Sequence, residues 1–364
     1  MPEHIDSATN EQSKFETLQT PHQYIYTYAC HEDEQELCSL ELRRLLNASP
    51  VSDYVRSSVC ISPSRSPFIH QRLDIWLTAN TLEELEQRVR ELHIAEWSVQ
   101  EGIEHETKLT VESSAQQSQS FSASAMTFKL LCLNGDEPLT YEDKRSLERR
   151  IGMNVRARAQ MKQPQVWLGM IYADGQWLLG QLWQGESVWL QHNDKPRHYS
   201  TALSTRVARA VVNIAMPQIE GHTLLDPCCG IGTVLVEALS MGINVTGSDL
   251  NPLAVQGARE NLLFYGMPDV VSIANLTELK GSYDAVILDL PYNLCSVLEE
   301  DERLHMLQAT GRLAPLQVII STEPLEASLD AAGLQLREVC HIRKGHFTRY
   351  VWLCHTRLDG SGTE

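Results

Sequence analysis

From Tyr24 onward the chain alternates short apolar runs with amphipathic stretches. The run Y-I-Y-T-Y-A-C (Tyr24 to Cys30) is rich in aromatic and β-branched positions and predicts a strand. Leu37, Leu40, Leu42, Leu45 and Leu46 fall roughly on one stripe of a helix expected from Glu34 to Leu46. A second strand is expected at Leu73 to Leu77, and a second helix at Thr81 to Leu92, with Thr81 as cap and Glu84 three residues on. Together these make an α+β unit over residues 21–110. Residues 1–20 are polar, lack periodicity and read as a disordered tail. Residues 112–125, E-S-S-A-Q-Q-S-Q-S-F-S-A-S-A, are low in complexity and read as a linker or exposed loop.

A second unit is expected at 126–194. It runs strand (Phe128 to Leu133), helix (Thr140 to Ile151), a basic stretch, then strands Val166 to Tyr172 and Trp177 to Trp183 around the hairpin turn Ala173-Asp174-Gly175. After a connecting segment at 195–217 the pattern changes to repeated strand-then-helix units over 218–358. Strands are legible at Thr223 to Asp226, Asn244 to Asp249, Val270 to Ala274, Tyr283 to Asp289 and Leu316 to Ser321. Asn251-Pro252 opens the second helix of this series and Gly266 closes it. Leu334 to Arg343 and Phe347 to His355 have no helix between them and predict a closing hairpin. Strands alternating with helices imply a mostly parallel sheet with ligands at the carboxyl ends of its strands.

Composition alters this picture little. The 364 residues are 43% hydrophobic and 21% charged, as in a globular protein. No run approaches the roughly 18 apolar residues of a membrane helix, and the start M-P-E-H lacks the order of a signal peptide, so a cytoplasmic protein is expected. Nine scattered cysteines with no C-x-x-C pair fit reduced, packed thiols better than disulfides or a metal cluster. No spacing among the thirteen histidines suggests a metal site.

Charge changes it more. The net charge of −17 argues against a general polyanion binder, yet its distribution is uneven. Residues 1–140 hold 10 basic and 22 acidic side chains, residues 141–210 hold 11 and 6, and residues 211–364 hold 9 and 19. The positive middle stretch includes Lys144, Arg145, Arg149, Arg150, Arg156, Arg158 and Lys162, then Lys195, Arg197, Arg206 and Arg209. Such a run is either a solvated face or a phosphate-binding surface that confines a nucleic acid to one side of a repelling protein.

Three acids each end an expected strand of the last unit. Asp226 opens D-P-C-C-G-I-G-T, where Gly230 and Gly232 allow a tight turn and close approach of backbone to a ligand. Leu235 stands where a dinucleotide fingerprint has its third glycine, which lowers the case for NAD. Asp249, in G-S-D-L-N-P, is placed to accept hydrogen bonds from ribose hydroxyls. Asp289 begins D-L-P-Y, that is Asp289, Leu290, Pro291 and Tyr292. This combination fits a site for a flat base: the tyrosine stacks on it while the carboxylate and a backbone carbonyl accept from an exocyclic amine.

At these residues the chain resembles the S-adenosylmethionine-dependent methyltransferases that modify exocyclic amino groups. The segment K-P-R-H-Y-S-T-A-L-S-T-R-V-A-R-A-V-V-N-I-A (Lys195 to Ala215) narrows the likeness to the THUMP-domain tRNA guanine-N2 methyltransferases. The likeness is specific from about residue 195 to 292 and weak over 20–194. It implies an α/β, Rossmann-like methyltransferase sheet, mostly parallel with a closing antiparallel hairpin. Ahead of that sheet it implies an α+β RNA-binding region, a ferredoxin-like unit followed by a THUMP-like domain.

The resemblance also implies roles. Gly230, Gly232 and Thr233 shape the loop under the methionine part of S-adenosyl-L-methionine, Asp226 orders that loop, and Asp249, with Leu250 beside it, holds the ribose. Asn275 faces the adenine, its amide oxygen standing in for the Asp that relatives often carry. Residues 195–217 close over the cofactor, and no metal is required. Asp289, Leu290, Pro291 and Tyr292 hold the target base. Arg149, Arg150, Arg156, Arg158 and Lys162 are the expected contacts to tRNA. His341, His346 and Arg349 in the last hairpin are further candidates for RNA contact. The family usually reads D-P-P-Y, whereas Leu290 replaces the first proline here, as in the N-L-P-Y of ribosomal RNA dimethyladenosine transferases. An adenine-N6 methyltransferase on RNA or DNA, and a homologue that binds RNA without methylating it, therefore stay open as alternatives.

Overall fold

Strands and helices form where residue pattern and caps agree. The structure, a computed structural model, describes residues 23–50, 52–92, 126–199, 202–291, 298–344 and 347–357. The first half contains β1 (Tyr24–Tyr28), α1 (Gln35–Leu46), β2 (Tyr54–Ser57), β3 (Ile69–Ala79) and α2 (Leu82–Glu91). It continues with β4 (Thr127–Cys132), α3 (Tyr141–Gly152), β5 (Arg158–Ala159), β6 (Val166–Ala173) and β7 (Gln176–Gln184). Thr81 caps α2 by accepting from Glu84 N. Thr140 and Asp143 form a reciprocal capping box at α3. Asp174 and Gly175 both take positive φ, the geometry of a tight hairpin turn. Strands β2 and β5, of four and two residues, are too short to show a period in sequence.

These seven strands form one sheet in the order β2-β1-β3-β7-β6-β4-β5. The antiparallel pairing of β3 with β7, from Gln71 opposite Gln184 to Ala79 opposite Trp177, carries the sheet across the two stretches read as separate units. No sheet edge divides 21–110 from 126–194. The tail at 1–20 and the stretch 112–125 lie outside the described residues.

The second half contains α4 (Thr205–Ala215), β8 (Thr223–Asp226), α5 (Thr233–Ser240), β9 (Asn244–Asp249), α6 (Pro252–Phe264), β10 (Val271–Ile273) and β11 (Ala285–Asp289). It closes with α7 (Glu300–Leu313), β12 (Leu316–Ser321), α8 (Glu326–Ala331), β13 (Leu334–Lys344) and β14 (Phe347–Thr356). The sheet order is β10-β9-β8-β11-β12-β14-β13, parallel through β12 and antiparallel in the last two strands. This is a Rossmann-like sheet, and its order reverses between β8 and β11, where such sheets open a ligand crevice. No helix among the described residues is long and apolar enough to cross a membrane.

The segment expected to be a linker is largely a core element. Ten of the eleven residues of α4 are buried, and the helix packs on α1 of the first half and on α5 of the second. One apolar core runs from Tyr26, Leu40 and Leu45 through Val207, Val211 and Ile214 to Leu235 and Ile287. Buried polar contacts cross the same junction. Glu41 accepts from Asn213 Nδ2 (2.6 Å) and Ser66 Oγ (2.6 Å), and burial pushes its carboxyl up to about 7. Arg209 donates to the carbonyls of Arg65 (2.8 Å) and Ser64 (2.9 Å) and to Glu237 Oε2 (2.9 Å), whose other oxygen meets His192 Nδ1 at 2.7 Å.

Candidate active site

The three acids singled out in sequence end β8, β9 and β11, on either side of the point where strand order reverses. Asp226 is 2% exposed and accepts from the backbone N–H of Cys228. Its carboxyl is pushed well above the usual range, first by burial, then by Asp289 and by Asp249. The cluster is electrostatically costly as it stands, which is common where a fold places groups for chemistry.

Local backbone explains the loop after β8. Gly230 (φ 52°) and Gly232 (φ 78°) adopt the left-handed conformation, and Gly232 caps the start of α5. A Cβ at Gly230 would meet no atom within 4 Å, so the loop presents bare backbone on its outer side. Asp249 fixes it: Oδ2 accepts from Gly230 N (2.9 Å) while Oδ1 accepts from Asn251 N (2.8 Å). A carboxylate has about four acceptor sites, so roughly two remain for a diol. Thr233 Oγ1, at the first turn of α5, is buried with no hydrogen-bond partner. Leu235 fits at the expected glycine because the glycine lies opposite: a Cβ at Gly247 of β9 would come within 2.5 Å of Leu235 Cδ1.

Asp289 ends β11 with an unusual environment. The residue keeps some exposed surface, yet its Oδ1 is buried and lacks a hydrogen-bond partner. Burial pushes its carboxyl up to about 7 against the opposing pull of Arg349. Leu290 is buried and donates its N–H to Ile320 O (3.0 Å), which fixes the peptide after Asp289. Pro291 is exposed, and Tyr292 lies outside the described residues. An unpartnered buried acceptor at a strand end suits a ligand that brings its own N–H.

Two of the expected contact residues already have partners within the chain. Asn275 follows β10, but its Oδ1 already accepts from Thr277 N (3.1 Å) and Thr277 Oγ1 (3.0 Å). Both lone pairs of that oxygen are engaged in capping a short turn, so the side chain offers a ligand its Nδ2 donor instead. Among the expected RNA contacts, Arg150 is bound to Glu83 (2.9 Å) and to Glu86 across from α2. Its charge is neutralised locally and joins α3 to α2. Leu250, in contrast, is 67% exposed beside Asp249 and available as an apolar surface.

The basic stretch resolves in the same way. Arg145 pairs with Glu148, Arg197 with Glu260, Arg206 with Glu34 and Arg209 with Glu237, while Lys195 is buried and its ammonium pushed down by desolvation. Within residues 141–210, four exposed cations have no acidic partner among the described residues: Arg149, Arg156, Arg158 and Lys162. The exposed Met153 and Met161 lie in the same short stretch of chain. His341 is engaged by Glu36 through both its backbone N–H (2.8 Å) and Nδ1 (2.7 Å), and His346 lies outside the described residues.

Sequence reading missed Asn261, buried on α6. It accepts from Arg197 N (2.9 Å) and donates to Ile231 O (2.9 Å) and Arg197 O (3.2 Å). One amide thus staples the glycine loop to the segment after Lys195. A lone Asn inside a helix carries no sequence signal of such a role.

Known proteins resemble parts of this chain. Residues 193–314 match the family model described as RMKL-like, methyltransferase domain (UPF0020). The tRNA (guanine(10)-N2)-dimethyltransferase of Methanothermobacter thermautotrophicus is 36% identical over 116 residues, 30% of this chain and 34% of that protein. The U6 snRNA (guanine-N(2))-methyltransferase THUMPD2 of Mus musculus is 32% identical over 120 residues, 29% of this chain and 22% of that protein. The chain thus spans about a third or less of the length of these two relatives. Among solved structures, TrmN from Thermus thermophilus aligns over 92% of this chain and 100% of its own, at 18% identity and a TM-score of 0.43.

Proposed function

We propose that the chain is an S-adenosylmethionine-dependent RNA methyltransferase of the cytoplasm that modifies the exocyclic N2 amino group of a guanosine in tRNA. The observation that carries this reading is Asp289, a buried carboxylate with one unpartnered oxygen at the strand end beside the glycine loop. Relatives named as guanine-N2 methyltransferases support the choice of base. Under this reading residues 21–110 form a ferredoxin-like unit, 126–194 a THUMP-like RNA-binding unit, 195–217 the segment closing on the cofactor and 218–358 the catalytic unit.

The residues present suit the cofactor. Bare backbone at Gly230, the spare acceptor sites of Asp249 and the unpartnered Thr233 hydroxyl together offer what a nucleoside with an amino-acid tail requires. S-adenosylmethionine, when bound, supplies a methyl group on a sulfonium. Asp226 holds the loop through Cys228 N, and Asp249 receives the ribose hydroxyls. Asp289 and the Leu290 carbonyl accept the two N–H bonds of the guanine amine, with the ring stacked on Tyr292. Acceptors on both N–H bonds turn the nitrogen lone pair out of the ring and ready Asp289 for the proton released. Alignment in a fixed site supplies much of the remaining rate.

Incubating the purified protein with unmodified tRNA and S-adenosylmethionine, then identifying the nucleosides by mass spectrometry, tests the proposal. N2-methylguanosine is the expected product. N6-methyladenosine would assign the adenine alternative, and cofactor binding without any methylated nucleoside would assign the non-catalytic one. Asp249→Ala is expected to weaken S-adenosylmethionine binding about 10- to 100-fold in calorimetry, since it loses charged hydrogen bonds of about 1.5–3 kcal/mol.

The four uncompensated cations supply the RNA contacts. Reversal of Arg149, Arg156 and Arg158 to Glu is expected to lower tRNA affinity and flatten its dependence on salt by about one logarithmic slope unit per lost phosphate contact. Arg150→Ala should leave affinity unchanged and stability close to the wild type, as loss of an exposed ion pair does. Equal losses at Arg150 and Arg156 in a filter-binding assay would argue against this assignment.

A further inference from the structure

Register places one more side chain at the strand ends. Asp289 lies opposite Ile320 of β12, and Ile320 lies opposite Val351 of β14. Ile287, Ile320 and Val351 share one core, whereas Leu288, Ile319 and Trp352 share the core on the other face. Side chains alternate along a strand, so Asp289, two residues after Ile287, faces the same way as Arg349, two residues before Val351. β14 runs antiparallel to β12, so stepping back from Val351 to Arg349 moves toward the crevice. The offset is about 10 Å across two strand spacings and about 7 Å along the strand, a diagonal that an extended arginine crosses.

Other charged groups around Asp289 are acids or lie against acids of their own. Asp226 on β8 and Asp249 on β9 are acids. Helix α4, packed on the same face, turns Arg206 to Glu34 and Arg209 to Glu237. Arg303 on α7 faces Glu323 and Glu300. Arg349 is the cation that opposes the effect of burial on Asp289.

We propose that Arg349 is a positioning residue: carried on the closing hairpin, it holds the Asp289 carboxyl in its ionised form, turned to accept from the target amine. This rests on the reading of Asp289 as that acceptor. It gives the terminal hairpin a task in the site besides completing the sheet. An ionised carboxylate accepts at both oxygens, whereas a protonated one presents a donor to the amine and cannot take up its proton.

The test compares methyl transfer against pH for the wild type, Arg349→Lys and Arg349→Gln, with S-adenosylmethionine affinity as a check on folding. Activity should rise through a limb near 7 in the wild type, where Asp289 ionises. In Arg349→Gln the limb should move up by about one unit or more, because loss of a nearby opposite charge raises a carboxyl by that amount. Transfer at a fixed pH below the limb then falls about tenfold and recovers in alkaline buffer. Arg349→Lys should stay near the wild type, and cofactor affinity should hold in all three. Carboxyl 13C NMR of cofactor-free protein, with the Asp289 signal assigned through Asp289→Asn, should show the same upward move. A limb and an NMR titration both unmoved in folded Arg349→Gln would overturn the role of Arg349. If no RNA nucleoside is methylated by the wild type, the proposed function fails, and the NMR titration still decides whether Arg349 governs Asp289.

Discussion

Asp289→Ala should cut methyl transfer by about 10²- to 10⁴-fold, the usual effect of removing a positioned proton acceptor. Affinity for S-adenosylmethionine should stay close to the wild type, because the contacts proposed for it come from the glycine loop and Asp249 instead. The same substitution should leave stability unchanged or raise it. A buried carboxylate with an unpartnered oxygen disfavours the folded state, and alanine removes that group. A fall in turnover with a level or higher melting temperature marks a residue placed for chemistry. Unchanged turnover would remove Asp289 from the mechanism, and a collapse in stability would make it a structural residue.

Glu237→Ala should produce the largest loss of stability. Glu237 is fully buried and is shared between Arg209 (2.9 Å) and His192 (2.7 Å), and Arg209 is itself 2% exposed. Removing the acid leaves a permanently charged guanidinium in a dry interior, a change that costs about 3–5 kcal/mol in comparable buried pairs. Urea denaturation should register it as a lower midpoint. The double substitution Glu237→Leu with Arg209→Met should recover much of the loss, because replacing both partners removes the stranded charge. Loss in the single variant of under about 1 kcal/mol would mean that water reaches Arg209.

Much of the second half was legible because its signals are local and repeated. Asp226, Asp249 and Asp289 each follow an apolar run, and the motifs D-P-C-C-G-I-G-T and D-L-P-Y announce a turn and a site within a few residues. The first half was harder to read. Pairing of β3 with β7 joins segments about a hundred residues apart, and no periodicity reports long-range pairing. The pairing of Arg150 was hidden for a related reason: its partners Glu83 and Glu86 are remote in sequence and near only after α2 and α3 pack. Asn275 was read by analogy with an acid, an analogy that does not report its local capping bond to Thr277. The face shared by Arg349 and Asp289 depends on sheet register, which sequence alone does not report.

The core that joins α1 to α4 has a consequence for biosynthesis. Leu37, Leu40, Leu45 and Leu46 leave the ribosome early, but Val207, Val211 and Ile214 follow some 170 residues later. At about 5–20 residues per second the apolar flank of the nascent first half waits roughly ten to thirty seconds for its cover. During that interval the growing chain is open to chaperones and to misassociation with neighbours on the same message.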